Sequence, residues 1–524
     1  MKRLKDLCLD VFLVVLSAAL LVLIFPGFEV HFLAWIALVP LFLVLKQSGP
    51  LKAFLFSFAA GVFFYSVAMG WMLRVSGVNP FNFALVTLWS AWHMGIFGLS
   101  SSYFQRKLPH WNVLTFPTTW VILEYLRAHM AFLSSPWGIL GYSQYSFLPV
   151  ARISAWTGVY GVSFVIVTVN TVLSEIMLYY LSRSRGTDSR WTSSRSSLKI
   201  PVSVLAGTLI LFSASFLYGL SPVTEQGRSA LNVALVQGNI HAQDHYDTKI
   251  IEKVFQKYQD LTLSATTSLP TLVAWPESAV PGRIPYDWKL VSMLSGIAQR
   301  TGAFLLTGTA KYDKFNTQKR LNRTSNSAFL FSPQGKIIGQ YDKILLLPFS
   351  EYIPWRGHVQ WPSWVASPDS ADFEPGRALT IFKMDNIKFG VQICWENMLA
   401  DQFREMAAKG IDFAVSMTSE AFTDIPAAHY QLLAMNVFRA IENHVSILRI
   451  ASTGVSCVID PNGRIVDRVK DQNRNDVNVE GYLTAQIPLT SKRSFYNRYG
   501  DLFIYIVFAA VTGLVLVNII ERKK

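Results

Sequence analysis

Ile387-Lys388-Phe389-Gly390-Val391-Gln392-Ile393-Cys394-Trp395-Glu396-Asn397 decides the fold class of half the chain. Its first seven residues read as a strand that stops at Cys394. Cys394 opens a turn toward a helix predicted over 398–409, and Phe413-Ala414-Val415-Ser416 follows as another strand. Working outward, the same alternation recurs. Leu231–Gln237 reads as a buried strand and 248–266 as a helix. Thr271–Trp275 is a strand ending at Pro276-Glu277, 287–300 is a helix, and Ala303–Gly308 is a strand. This is an α/β pattern with buried sheets. Two further stretches echo each other, Ser332-Pro333-Gln334-Gly335-Lys336-Ile337-Ile338 and Asp460-Pro461-Asn462-Gly463-Arg464-Ile465-Val466. Each is a Pro-x-Gly turn between apolar strands, a hairpin signal. Together they predict a two-sheet layered domain with rough internal symmetry.

The rest of the chain is built for another solvent. Residues 1–220 hold only 15 Lys+Arg and 6 Asp+Glu, against 32 and 28 in the remaining 304 positions. A bilayer core needs about 20 apolar residues per helix. Such runs lie near 8–25, 28–46, 53–74, 82–104, 112–133, 157–181 and 200–220, with an eighth at 502–520. The expectation is a polytopic α-helical membrane domain of eight transmembrane helices: a seven-helix domain over 1–220, an extracytoplasmic α/β domain over 221–501, and the last helix with a basic tail over 502–524. The first run is too long for a cleaved signal peptide. Orientation follows from the cations. Lys2, Arg3 and Lys5, then Lys46 and Lys52, Arg106 and Lys107, the cluster 183–199 and Arg522, Lys523 and Lys524 fall in alternate loops. With the amino terminus in the cytoplasm, an odd number of spans puts 221–501 outside it. The net charge of +13 is then mostly a topology signal, and nucleic-acid binding is not expected. Glu124 and Arg127, three apart on one helix, are placed to pair. The loop Pro136-Trp137-Gly138 to Tyr142-Ser143-Gln144 beside them reads as an aromatic belt or a lipid headgroup dock.

The chemistry sits where strands end. A thiol is a good nucleophile only as thiolate, so Cys394 needs a base and a positive neighbour. Glu277 is the candidate base and Lys343 the candidate cation. Cys457 reads as inert packing, and three scattered cysteines, Cys8, Cys394 and Cys457, make neither a disulfide framework nor a zinc site. No metal and no cofactor is expected.

Three contexts occur in order: Trp275-Pro276-Glu277-Ser278, Tyr341-Asp342-Lys343 through Glu351-Tyr352-Ile353-Pro354, and Gly390 through Cys394-Trp395-Glu396. They resemble the nitrilase superfamily of carbon–nitrogen hydrolases. Seven spans, this domain and one more span resemble its apolipoprotein N-acyltransferase branch, as do Val236-Gln237-Gly238-Asn239-Ile240 and the loop at 136–144. The resemblance implies an αββα sandwich and a ping-pong transfer. Cys394 is then the nucleophile, Glu277 the base and Lys343 the oxyanion stabiliser, with Glu351 and Glu396 orienting Lys343 and Cys394 and Trp395 in support. The implied donor is a phospholipid and the implied acceptor a diacylglyceryl apolipoprotein, in the bacterial inner membrane with the site on the periplasmic side. Glu124, Arg127 and Tyr246 are the candidate lipid-docking residues, Tyr246 standing where the family commonly has Trp. Arg439, Glu442 and Arg449 read as structural. Ser419-Glu420-Ala421-Phe422-Thr423 departs from the usual Asn-Asp-Ala-Trp-Phe, and Ser452-Thr453-Gly454 from the usual Asn-Thr-Gly. These departures leave open a paralogue with another donor or acceptor. A membrane-tethered amidase and a transporter or scaffold with a degenerate enzyme domain are the competing expectations.

Overall fold

A computed structural model of the chain describes residues 2–75, 78–184, 202–221, 230–241, 251–279, 282, 284–312, 324–365 and 372–521. The chain divides into two compact units. One comprises Met1–Leu73, Val78–Pro222 and Tyr499–Lys524, the other Arg74–Gly77 and Val223–Arg498.

The first unit is helical: α1 (Lys2–Leu23), α2 (Val39–Leu45), α3 (Pro50–Ala68), α4 (Pro80–Lys107), α5 (Asn112–Ala128), the short α6 (Leu148–Ala151) and α7 (Ser154–Thr157), α8 (Val159–Ser184), α9 (Val202–Leu220) and a C-terminal helix, Leu502–Glu521. Among the described residues, five helices are long and apolar enough to cross a membrane: Leu4–Leu23, Pro50–Ala68, Pro80–Lys107, Val159–Ser182 and Leu502–Ile520. Their outward faces, such as Leu55, Tyr505, Ile506 and Phe508, are exposed and apolar, which suits lipid and not water. The remaining three expected spans are less regular. The run at 28–46 is broken into a 3-10 turn, His31–Trp35, and α2. Asn170 on α8 repairs the break, accepting from the Leu38 amide at 2.8 Å and donating to the Ala34 carbonyl at 2.8 Å. Lipid offers no such partners, so irregular backbone survives there only against another element. The run at 112–133 stops at Ala128, with Pro117 inside its helix. The seventh run is described as a shorter apolar helix, Leu205–Leu220.

The second unit holds two six-stranded sheets. In the first, the order is β12-β1-β2-β3-β4-β5, with β1 (Ala230–Gln237), β2 (Leu272–Ala274), β3 (Phe304–Tyr312), β4 (Thr324–Phe331), β5 (Ile337–Asp342) and β12 (Gly481–Pro488). In the second it is β11-β10-β9-β8-β7-β6, with β6 (Ile381–Met384), β7 (Ile387–Ile393), β8 (Phe413–Thr418), β9 (Ser446–Ala451), β10 (Cys457–Ile459) and β11 (Ile465–Arg468). The central trios β1-β2-β3 and β7-β8-β9 are parallel and the flanking pairs antiparallel. One apolar core joins both sheets, with Leu235, Leu306 and Leu330 meeting Phe389, Phe413 and Ile450. Helices α10 (Ile251–Ala265) and α11 (Trp288–Thr301) cover the first sheet's other face. Helices α12 (Ala400–Ala408) and α13 (Pro426–Asn443) pack on the second sheet, before a final short α14 (Phe495–Tyr499).

The two echoed turns fold alike. Gly335 N donates to Ser332 O at 2.8 Å and Gly463 N to Asp460 O at 2.9 Å, and each hairpin carries one register shift beside its turn. Gly335 and Gly463 have φ of 79° and 82°, a conformation that favours glycine.

Candidate active site

Three strand ends converge on one polar cluster within the second unit. Glu277 follows β2, whose chain stays paired with β3 beyond the strand: Trp275 N donates to Leu306 O at 2.8 Å and Gly308 N to Pro276 O at 3.2 Å. A Cβ built on Gly308 would meet Glu277 Cα at 2.7 Å, so only glycine admits this approach. Lys343 follows β5, its amide donating to the Asn326 carbonyl at 2.8 Å. Cys394 follows β7, with φ of 53°, and starts a 3-10 turn over Cys394–Met398. A non-glycine residue in that region is strained and persists only where the surrounding structure holds it. Cys394 is partly exposed while Glu277 and Lys343 are buried.

Each group has fixed neighbours. The Glu277 carboxylate accepts from Asn326 Nδ2 at 2.6 Å and from Ser419 N at 2.8 Å. Asn326 Nδ2 also reaches Glu351 Oε1 at 3.3 Å, so one amide bridges both acids. Glu351 takes Lys343 Nζ at 2.7 Å and the Leu347 amide at 2.7 Å. Glu396 Oε1 accepts from Tyr341 OH at 2.7 Å, Ile344 N at 2.8 Å, Leu345 N at 3.1 Å and Gln402 Nε2 at 2.9 Å, and its Oε2 accepts from Ile393 N at 2.9 Å. Glu396 therefore ties the backbone before Cys394 to the backbone after Lys343. Trp395, between Cys394 and Glu396 in the chain, is half-buried.

The charges act on one another. Burial pushes the Glu277 carboxyl above the ordinary carboxylate range, against the pull of Lys343 and its two hydrogen bonds. Burial alone would lower Lys343, but Cys394, Glu351 and Glu277 around it outweigh that and hold the ammonium above its usual range. Burial, reinforced by Glu277, pushes the Cys394 thiol up, and Lys343 does not offset it. The resting sulfur is thus a thiol, with a base of raised basicity and a persistent cation in electrostatic reach. That arrangement suits base-assisted attack on a carbonyl and stabilisation of the resulting oxyanion.

The other predicted residues lie elsewhere. Glu124 and Arg127 are fully buried in the helical unit and form no direct ion pair among the described residues. Glu124 Oε1 takes Trp120 Nε1 at 2.9 Å and Leu140 N at 2.7 Å, while Arg127 Nη1 donates to the Ser135 and Trp137 carbonyls. The expected pairing is replaced because the returning loop offers backbone partners to each. Full burial also turns both side chains away from any lipid surface. Tyr246 lies outside the described residues. Arg439 and Glu442 form an ion pair at 2.8 Å, and Arg449 pairs with Glu420. Sequence reasoning missed Asn326, Tyr341 as a hydrogen-bond donor, Gln402 and the Ser419 amide. No local signal marks Asn326, which stands among Thr324, Ser325 and Ser327 on β4.

Comparison with known proteins agrees with this division. Residues 17–172 match the family described as apolipoprotein N-acyltransferase N-terminal domain, and residues 232–496 match carbon-nitrogen hydrolase. The chain is 31% identical to the apolipoprotein N-acyltransferase of Geobacter metallireducens over 98% of its own length and 96% of the relative's. It is 27% identical to apolipoprotein N-acyltransferase 1 of Treponema denticola, covering 94% and 93%. A solved Saccharomyces cerevisiae member of the nitrilase superfamily is 18% identical, with a TM-score of 0.39, over 51% of this chain and 93% of that one.

Proposed function

The chain belongs to the apolipoprotein N-acyltransferase family, and on that premise we propose that Glu277, Lys343 and Cys394 move an acyl chain through a thioester in two displacements. It is an N-acyltransferase of lipoprotein maturation. In the first displacement Cys394 Sγ attacks the ester carbonyl of a phospholipid as Glu277 takes the thiol proton. Lys343 stabilises the oxyanion. The carbon–oxygen bond then breaks, Glu277 returns the proton to the departing lysophospholipid oxygen, and the acyl group stays on sulfur. In the second, the α-amino group of the diacylglyceryl-cysteine attacks the thioester. Glu277 takes a proton from that amine, the carbon–sulfur bond breaks, and the sulfur leaves to be reprotonated. Lys343 keeps its charge through both displacements, because the Glu351 carboxylate stays paired with its ammonium at 2.7 Å. A thioester keeps transfer potential, and an amine attacks it more readily than an ester, so two lower barriers replace one.

The observation that carries this reading is the Glu277 carboxylate, buried yet held by Asn326 and the Ser419 amide in the field of Cys394 and Lys343. Mass spectrometry after incubation with phospholipid tests it. A long-chain acyl mass on the Cys394 peptide is expected, persisting until an amine acceptor is added. Turnover to free fatty acid without acceptor would instead favour a hydrolase that passes the acyl group to water. The pH dependence has a defined sign. Glu277 must be ionised to act, and its folded pKa is raised. Acylation should therefore fall with acid in a window above the roughly 4.3 of an ordinary glutamate. An acid limb at or below that value would remove Glu277 as the base.

Topology completes the proposal: seven spans before residue 221, one after 501, and the catalytic domain on the periplasmic side. The alternation of cationic loops supports it. A periplasm-dependent reporter fused near residue 300 should be active and one at residue 190 silent. The reverse pattern would invert the arrangement.

A further inference from the structure

Ser419 donates its amide to the base, and the residue beside it is clamped on both carboxylate oxygens. Beyond β8 the chain leaves the sheet. Ser452 N donates to Thr418 O at 3.1 Å and the Ser452 hydroxyl donates to the Ser419 carbonyl. Glu420, next in line, has φ of 55° and no exposed surface. Its Oε1 pairs with Arg449 Nη2 from β9, and its Oε2 lies 2.8 Å from His429 Nδ1 on α13. Arg449 in turn donates from Nη1 to the Val455 carbonyl. Burial alone would raise the Glu420 carboxyl, but Arg449 and His429 beside it hold it below the usual range. The clamp is therefore a charged carboxylate linking the turn after β8 to β9 and to α13. The two departures from the family pattern meet here. A Cβ built on Gly454 overlaps Glu420 Oε2, so the clamped acid needs a bare glycine at that position.

We propose that Glu420 is a positioning residue for the acyl transfer, its carboxylate clamped by Arg449 and His429 so that the turn it anchors aims the Ser419 amide at Glu277. The inference rests on the reading of Glu277 as the base. A buried ion pair is costly and adds little net stability, but it fixes a backbone donor to the tolerance a reacting group needs. Glu277 is otherwise faced by Lys343, Glu351 and Cys394. Of the two donors on its carboxylate, the Ser419 amide is the one Glu420 governs.

Gly454→Ala tests this without removing any charge, since its methyl group displaces the Glu420 carboxylate. The full chain in detergent micelles would be acylated with dipalmitoyl phosphatidylglycerol, and single-turnover formation of the Cys394 thioester followed against pH. Losing the Ser419 hydrogen bond favours protonated Glu277, so the acid limb should move to higher pH. The plateau should fall roughly 10- to 100-fold, as for an ångström-scale misplacement. Adding Glu420→Asp, whose shorter arm makes room for the methyl group, should return the limb toward its original position. If Gly454→Ala does not fold, Arg449→Lys, which keeps the charge but loses the guanidinium's two-pronged hold on Glu420 and the Val455 carbonyl, should move the same limb. An acid limb unmoved in the folded variant, whatever its thermal stability, overturns the inference. Glu277→Gln, run alongside, separates the two failures. If it keeps the original rate and acid limb, the base assignment falls and the positioning role with it. If it is inactive while Gly454→Ala keeps its limb, only the positioning role falls.

Discussion

Cys394→Ser should lower the rate of acyl-enzyme formation by about 10⁴-fold or more, with no change in the fold. Single-residue losses of a nucleophile that works with its base reach roughly 10⁴ to 10⁶. The substitution keeps a hydroxyl where the thiol stood, in the same turn at φ 53°, so the stability change should stay within about 0.5 kcal/mol. The reason for the loss is electronic. The cluster already holds the thiol above its ordinary pKa, so the step depends on sulfur being intrinsically nucleophilic when Glu277 takes its proton. Oxygen lacks that advantage, and its proton is harder to remove. An oxygen ester formed at position 394 would also resist the amine in the second displacement. Any acyl-enzyme of the variant should therefore persist longer after acceptor is added. Acylation measured by intact mass, beside a thermal melt, reads both halves. A serine variant within tenfold of the original would remove Cys394 as nucleophile.

Much of the candidate site was legible because two of its groups sit where strand patterns break. Glu277 and Cys394 each follow an apolar strand, β2 and β7, whereas Lys343 follows Gly339-Gln340-Tyr341-Asp342 and was legible only through the family resemblance. The hairpins at 332–338 and 460–466 were legible because Pro-x-Gly specifies a turn locally. What pairs across the chain was not. Asn326 meets Glu277 because β4 pairs antiparallel with β3, and no local pattern gives that register. The break at Ile36–Leu38 depends on Asn170, which is 132 residues from Leu38. Glu124 and Arg127 have the spacing of a helical pair, yet a loop that returns to them competes for both side chains. Helical spacing states what is near along one element, and it is silent on what arrives from another.

That same dependence on long-range partners sets the second large effect. Glu396→Ala should prevent the catalytic unit from folding stably, and Glu396→Gln should fold but acylate poorly. Its buried carboxylate takes five donors, four on Oε1 and one on Oε2. Alanine strands all five, at about 1–3 kcal/mol for each donor left buried without a partner. Even partial relaxation leaves a loss comparable with a typical domain stability of about 5–15 kcal/mol. Glutamine keeps the volume and one acceptor oxygen. With that oxygen at the four-donor side, its NH₂ faces the Ile393 amide, donor against donor. The strain falls on the residue immediately before Cys394, while the weakened, now neutral bonds to Ile344 and Leu345 loosen the chain immediately after Lys343. Cys394 and Lys343 are thus displaced together, and a loss of about 10²-fold in acylation is expected from misplacement alone. Thermal unfolding and thioester formation on the same preparations separate the two parts. If Glu396→Ala melts like the original protein, then Glu396 does not couple the two strand ends, and their spacing is set by the sheets themselves.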